Sequence, residues 1–174
     1  GGVIPVETKF VQGRWSGQKV LFCVSRDMTE RVEAERLLRI SQERFSRLFH
    51  LNPTLMVVSE IEDGTIVDVN KSFLRVMGFK REEVVGFTAS GLGFIDSKGR
   101  EVMLRRRVRS QRGIRNLEVP LKTAKGERLM ALLSGEVIES REGGYYLLGM
   151  KDITLLKRAQ VDLERLNREL QERS

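Results

Sequence analysis

Sulfur and imidazole chemistry are almost missing from this chain, which has one cysteine, Cys23, and one histidine, His50, in 174 residues. A single cysteine cannot close an internal disulfide, which points to a reducing compartment. No His/Cys cluster stands at metal-ligand spacing. There is also no run of 18 apolar residues and no signal-peptide pattern. The segment is therefore expected to be cytoplasmic and to make no membrane contact, although a longer parent chain is free to carry an anchor. A nucleophile–base pair and a phosphate-cradling glycine loop are both lacking, so the segment is not read as an enzyme.

What the chain does have is 40% apolar and 32% charged residues, enough for a packed core under a heavily charged surface. Its length suits one domain plus a helix or a fragment of a second. The net charge of +7 is carried mostly by helix-like runs of both signs, which read as solvated faces and not as a nucleic-acid footprint.

One stretch occurs twice. RDMTERVEAERLL at 26–38 returns as KDITLLKRAQVDL at 151–163, with Asp27 and Asp152 125 positions apart. Each copy follows a β-like run, KVLFCVS or YYLLGM, and opens a charged helical run. A unit of roughly 125 residues therefore ends twice.

Residues 5–24 read as two strands around a turn at Gly13 to Gly17. Left alone, this pair has unpaired edges and should join another chain or lose order. Asp27 or Thr29 can cap the helix that follows, with Glu30 placed for a capping box. That helix is expected from about Thr29 to Phe49, with Ala34, Leu38, Phe45 and Leu48 near one stripe that Ser41 interrupts, and Asn52-Pro53 ends it.

Two β-rich runs, Leu55 to Ile61 and Thr65 to Val69, flank Asp63-Gly64, a strong hairpin signal. Asn70 can cap a short helix whose Phe73, Leu74 and Met77 share a face and which Gly78 stops; KREEVVG at 80–86 is a second single turn. The irregular stretch 87–95 should fold inward through Phe87, Leu92, Phe94 and Ile95. A basic helix then runs from about Ser97 to Arg112, followed by three strands split at Lys125-Gly126 and Gly143-Gly144. The last helix, Thr154 to Ser174, places Leu156, Ala159, Leu163, Leu166 and Leu170 on a coiled-coil seam of nearly three heptads.

Taken in order, IVDVNKSFLRVMGFKREEVVG (66–86), IRNLEVPLKTAKGE (114–127) and YYLLGMKDIT (145–154) resemble the PAS family of sensor domains. The resemblance implies an α+β fold, a five-stranded antiparallel sheet with helices on one face, flanked here by coiled-coil-like helices at both ends. It divides the chain into the last two strands of a preceding PAS domain (1–27), a linker helix (28–50), a PAS domain (51–153) and a signalling helix (154–174). It further implies a non-catalytic relay within a bacterial-type signalling protein, read as a two-component sensor histidine kinase. The segment would form a homodimer through its flanking helices and act on an effector domain further along the same chain. A ligand-free dimerisation spacer, or the sensory part of a diguanylate cyclase or a transcription regulator, are the alternatives.

Relatives that bind haem are similar to one another in carrying a histidine on the long helix before the last three strands, and here that helix has none. Light-sensing flavin relatives need a reactive cysteine in a short helix, and none occurs after Leu51. No cofactor is predicted, which leaves room for an unknown small molecule. Pocket candidates are Met56, Val58, Phe73, Met77, Phe94, Leu104, Val108, Leu117, Val119, Leu132 and Ser134, with core filling as the plainer reading. Arg105, Arg106, Arg107, Arg109 and Arg112 could draw an anion, but such a run is more often a solvated face. Asp152, Thr154, Asp27 and Thr29 are the relay candidates, because they fix where a strand stops and a helix starts.

Overall fold

The computed structural model describes residues 2–140 and 143–172. Its contacts divide the chain into two units, Gly1–Arg47 and Leu48–Ser174.

In the first unit, β1 (Val6–Trp15) and β2 (Gln18–Asp27) pair antiparallel from Val6↔Asp27 to Trp15↔Gln18. The turn is Ser16-Gly17, both with positive φ, the tight geometry that suits twisted strands. Gly13, expected in the turn, is instead paired inside β1, where a Cβ would meet the Phe22 ring at 2.8 Å. Both outer edges of the hairpin lack strand partners among the described residues. Helix α1 (Thr29–Leu51) begins at a turn in which the Asp27 carboxylate accepts bonds from the Thr29 N–H (2.8 Å) and hydroxyl (2.6 Å). Those two bonds, the hydroxyl's first, hold the Asp27 carboxyl below its ordinary pKa.

The second unit holds β3 (Leu55–Glu60), β4 (Ile66–Val69), α2 (Lys71–Met77), α3 (Arg81–Val84), α4 (Lys98–Ser110), β5 (Gly113–Lys122), β6 (Arg128–Ser140), β7 (Gly143–Asp152) and α5 (Thr154–Glu172). The strands form one antiparallel sheet in the order β4-β3-β7-β6-β5. Pro120 is tolerated because β5 is an edge strand, where a missing N–H breaks no ladder. The expected end of the last helix at Ser174 lies outside the described residues.

The core lies between one face of the sheet and α2 to α4. Phe73, Met77 and Val69 are fully buried, and the Phe73 ring meets Phe94 edge-on at 5.5 Å. Burying a side chain of that size contributes about 1.5–3 kcal/mol, and the ring geometry adds about 0.5–1.5. Phe94 and Ile95 turn inward as expected, whereas Phe87 is exposed. It is the Phe87 backbone that has a task there: its carbonyl accepts from Ile66 N, and Gly86 N donates to the Ile66 carbonyl. Those bonds cover the outer edge of β4.

Candidate functional site

The helix-side face of the sheet borders a cavity of about 50 Å³. That is above the roughly 10–15 Å³ a cavity needs to admit a single water. Its walls are apolar: Val57, Ile66, Phe94, Leu104, Val108, Val119, Leu133, Tyr146 and Met150. At one end the lining turns polar with Ser59, Glu101 and Arg105.

That polar end is tightly constructed. Buried Glu101 accepts from Ser90 N at 2.8 Å, which ties α4 to the 88–91 loop. Arg105 donates to the Glu62 carbonyl at 3.2 Å, while its buried Nε has no hydrogen-bond partner and lies 3.8 Å from Glu101 Oε1. Gly64 is required beside them, with φ at 83° and a Cβ position 2.7 Å from Glu101 Oε1. In the same turn, the Thr65 N–H and hydroxyl hold the Asp63 carboxyl below its ordinary pKa.

Of the eleven pocket candidates, Phe94, Leu104, Val108 and Val119 line this cavity. Phe73 and Met77 are buried in the core beside it, and Leu117 is half-buried against the core near the outer part of β5. Met56, Val58, Leu132 and Ser134 must be corrected. They lie on the opposite face of the sheet, because Leu55, Val57 and Ser59 in β3 and Ala131, Leu133 and Gly135 in β6 point inward. Of the five arginines, only Arg105 lines the cavity; Arg106, Arg107, Arg109 and Arg112 are exposed.

Asn70 does more than cap α2. Fully buried, its Oδ1 accepts from Phe73 N and Met56 N, both at 3.0 Å. Its Nδ2 donates to the carbonyls of Phe49 (3.1 Å), Asn52 (3.2 Å) and Thr54 (2.8 Å). One side chain thus joins the end of α1, the loop to β3, β3 itself and the start of α2.

The second feature is the exit from the sheet. Thr154 N (2.9 Å) and its hydroxyl (2.5 Å) both donate to Asp152 Oδ1. The same hydroxyl accepts from Met130 N at 3.0 Å, and Ile153 N donates to the Met130 carbonyl at 2.8 Å. Helix α5 is therefore bonded at its first residue to strand β6, three residues from the cavity-lining Leu133, about 10 Å along the strand. Lys157 adds an ion pair to Glu118 of β5 at 2.7 Å. Beyond that contact, Leu156, Leu163, Leu166 and Leu170 are each about 60% exposed, and Ala159 is exposed between them.

The profile of the PAS domain matches residues 53–155, more than half of the chain. The chain belongs to the PAS family. PAS domains are sensory modules that generally carry no catalysis of their own. The match takes in the cavity, Asn70 and the turn at Asp152–Thr154. Over 95 residues the chain is 33% identical to a methyl sulfide methyltransferase-associated sensor of Methanosarcina acetivorans, covering 55% of this chain and 8% of that protein. It thus corresponds to a small part of that relative. In fold it is similar to the PAS domain of an HTR-like protein from Haloarcula marismortui, with TM-score 0.59 and 20% identity over 70% of this chain and 98% of the other. It is also similar to an RNA-binding light-oxygen-voltage receptor, with TM-score 0.61 and 18% identity over 72% of this chain and 37% of the other. Among the described residues, no helix is long and apolar enough to cross a membrane.

Proposed function

We propose that residues 48–174 are a sensory relay of a multidomain signalling protein, of the sensor histidine kinase type. It couples a change in the cavity or in a dimer to an effector domain further along the chain. Asp152 and Thr154 form the joint between sheet and helix. Helix α5 pairs with a second copy through Leu156, Ala159, Leu163, Leu166 and Leu170.

The observation that carries this reading is the Thr154 hydroxyl, which bonds to β6 and to the turn at once. A shift in β6 must then move the start of α5 or break a bond, and a helix transmits displacement rigidly to a pair with discrete packings. The exposed leucine seam supports the dimer, since such a stripe at heptad spacing is stable only when covered. A cavity this small and apolar favours a ligand of a few heavy atoms with one polar group at the Ser59 and Arg105 end, and not a haem or a flavin.

The cavity's size also favours the second reading, a spacer whose core needs no ligand. Val108→Phe, which places a ring in the space, separates the two. A sensor should lose its response and any thermal shift given by small alcohols or ketones; a spacer should fold, dimerise and signal unchanged.

A further inference from the structure

The repeat in the sequence is also a repeat of backbone geometry. Advancing each residue number of the β1–β2 hairpin by 125 turns its pairing into that of β6–β7. Val6↔Asp27 becomes Ala131↔Asp152, Phe10↔Cys23 becomes Gly135↔Leu148, and Trp15↔Gln18 becomes Ser140↔Gly143. The exits match as well: Met28 N donates to the Pro5 carbonyl at 2.9 Å, as Ile153 N does to that of Met130. Thr29 bonds Asp27 as Thr154 bonds Asp152. Even the helical stripe keeps its phase, since Ala34, Leu38 and Phe45 take the places of Ala159, Leu163 and Leu170. One bond has no counterpart. Pro5 stands where Met130 does and has no N–H to give Thr29.

The surroundings of the two hairpins differ. β6 and β7 are inner strands of a five-stranded sheet with one face buried, whereas β1 and β2 form a sheet of two. Phe10, Trp15, Leu21 and Val24 are each more than 60% exposed. A hairpin that is apolar on both faces and open at both edges is a surface made to be covered.

We propose that β1–β2 is the C-terminal hairpin of a second PAS unit, completed by the part of the same polypeptide that precedes residue 1. The 125-residue offset puts the counterpart of β3 about 70 residues before that point. That absent strand pairs with β2, and the counterpart of β5 pairs with β1. Thr8, Phe10, Leu21 and Cys23 then face its core, as Leu133, Gly135, Tyr146 and Leu148 do in the downstream unit.

The test compares residues 1–174 with the full-length chain, reading iodoacetamide labelling of Cys23 by peptide mass spectrometry and amide exchange across β1 and β2. In residues 1–174, Cys23 should label as an exposed thiol at every protein concentration; in the full-length chain, labelling and edge-amide exchange should both slow by about 100-fold or more. Phe10→Asp should restore labelling in the full-length chain, while Lys9→Asp, on the other face, should not. Unchanged labelling in the full-length chain would overturn the proposal, as would a parent with fewer than about 70 residues upstream. Protection of residues 1–174 alone that rises with concentration would also overturn it, making a second copy the occupant.

Discussion

Replacing Asn70 with alanine should destabilise the second unit more than any helix-cap substitution could. Loss of the cap to Phe73 N accounts for about 1 kcal/mol. The remaining cost comes from the other groups it bonds: Met56 N and the Thr54 carbonyl, both partly buried, lose this partner, the buried Phe49 carbonyl loses one bond, and the Asn52 carbonyl keeps the Ser72 hydroxyl at 2.6 Å. At about 1 kcal/mol for each partly buried group left without its partner, and about half of that for the lost Phe49 bond, the total should be about 3–4 kcal/mol. That is a large part of the roughly 5–15 kcal/mol that holds a domain together. Urea unfolding followed by circular dichroism should show the midpoint falling with little change in slope. Asn70→Asp keeps the acceptor but aims a carboxylate at three carbonyls, so it should also destabilise at neutral pH and recover partly in acid, where the introduced group can donate a proton. A loss below about 1 kcal/mol for Asn70→Ala would mean that water replaces its bonds and that Asn70 does not join these elements.

Other consequences follow from single contacts. Gly64→Ala should cost about 1–3 kcal/mol in the same assay, because φ is positive there and the added methyl meets Glu101 and Arg105. The Asp27 carboxyl has a depressed folded pKa, so its contribution to the start of α1 is present above the ordinary aspartate range near about 4 and is lost as pH falls through the folded value. NMR titration should place Asp27 below a free aspartate, and Thr29→Val should raise it. Sedimentation of residues 1–174 should show a concentration-dependent dimer, which Leu163→Asp abolishes without loss of the sheet.

The sequence made some of this legible and hid the rest for identifiable reasons. In β5 the phase could be read, since Leu117, Val119 and Leu121 alternate with Glu118, Pro120 and Lys122. In β3 and β6 it could not: Leu55 to Val58 and Leu129 to Leu133 are apolar at every position, so alternation says nothing about which face is inside. Nothing in those runs therefore distinguishes Met56, Val58, Leu132 and Ser134 from the inward-facing residues beside them. The turn residues were readable because Asp152 and Thr154 act on their own neighbours. The Thr154 bond to Met130, like the three carbonyl contacts of Asn70, spans a sequence separation that no local pattern reports. Glu101 and Arg105 were hidden inside a basic run that reads as solvent-facing until α4 is set against the β3–β4 turn.

If the relay works as proposed, Thr154 links the cavity wall to the helix seam. The most direct measurement is disulfide cross-linking between copies of α5, with single cysteines at positions 159, 163 and 166 in a Cys23→Ser background, comparing native chains with Val108→Phe. Filling the cavity should redistribute cross-linking among the three positions, and adding Thr154→Val should remove that redistribution while the dimer persists. If the profile ignores Val108→Phe, or shifts equally with Thr154→Val present, the link from β6 to α5 is not the relay.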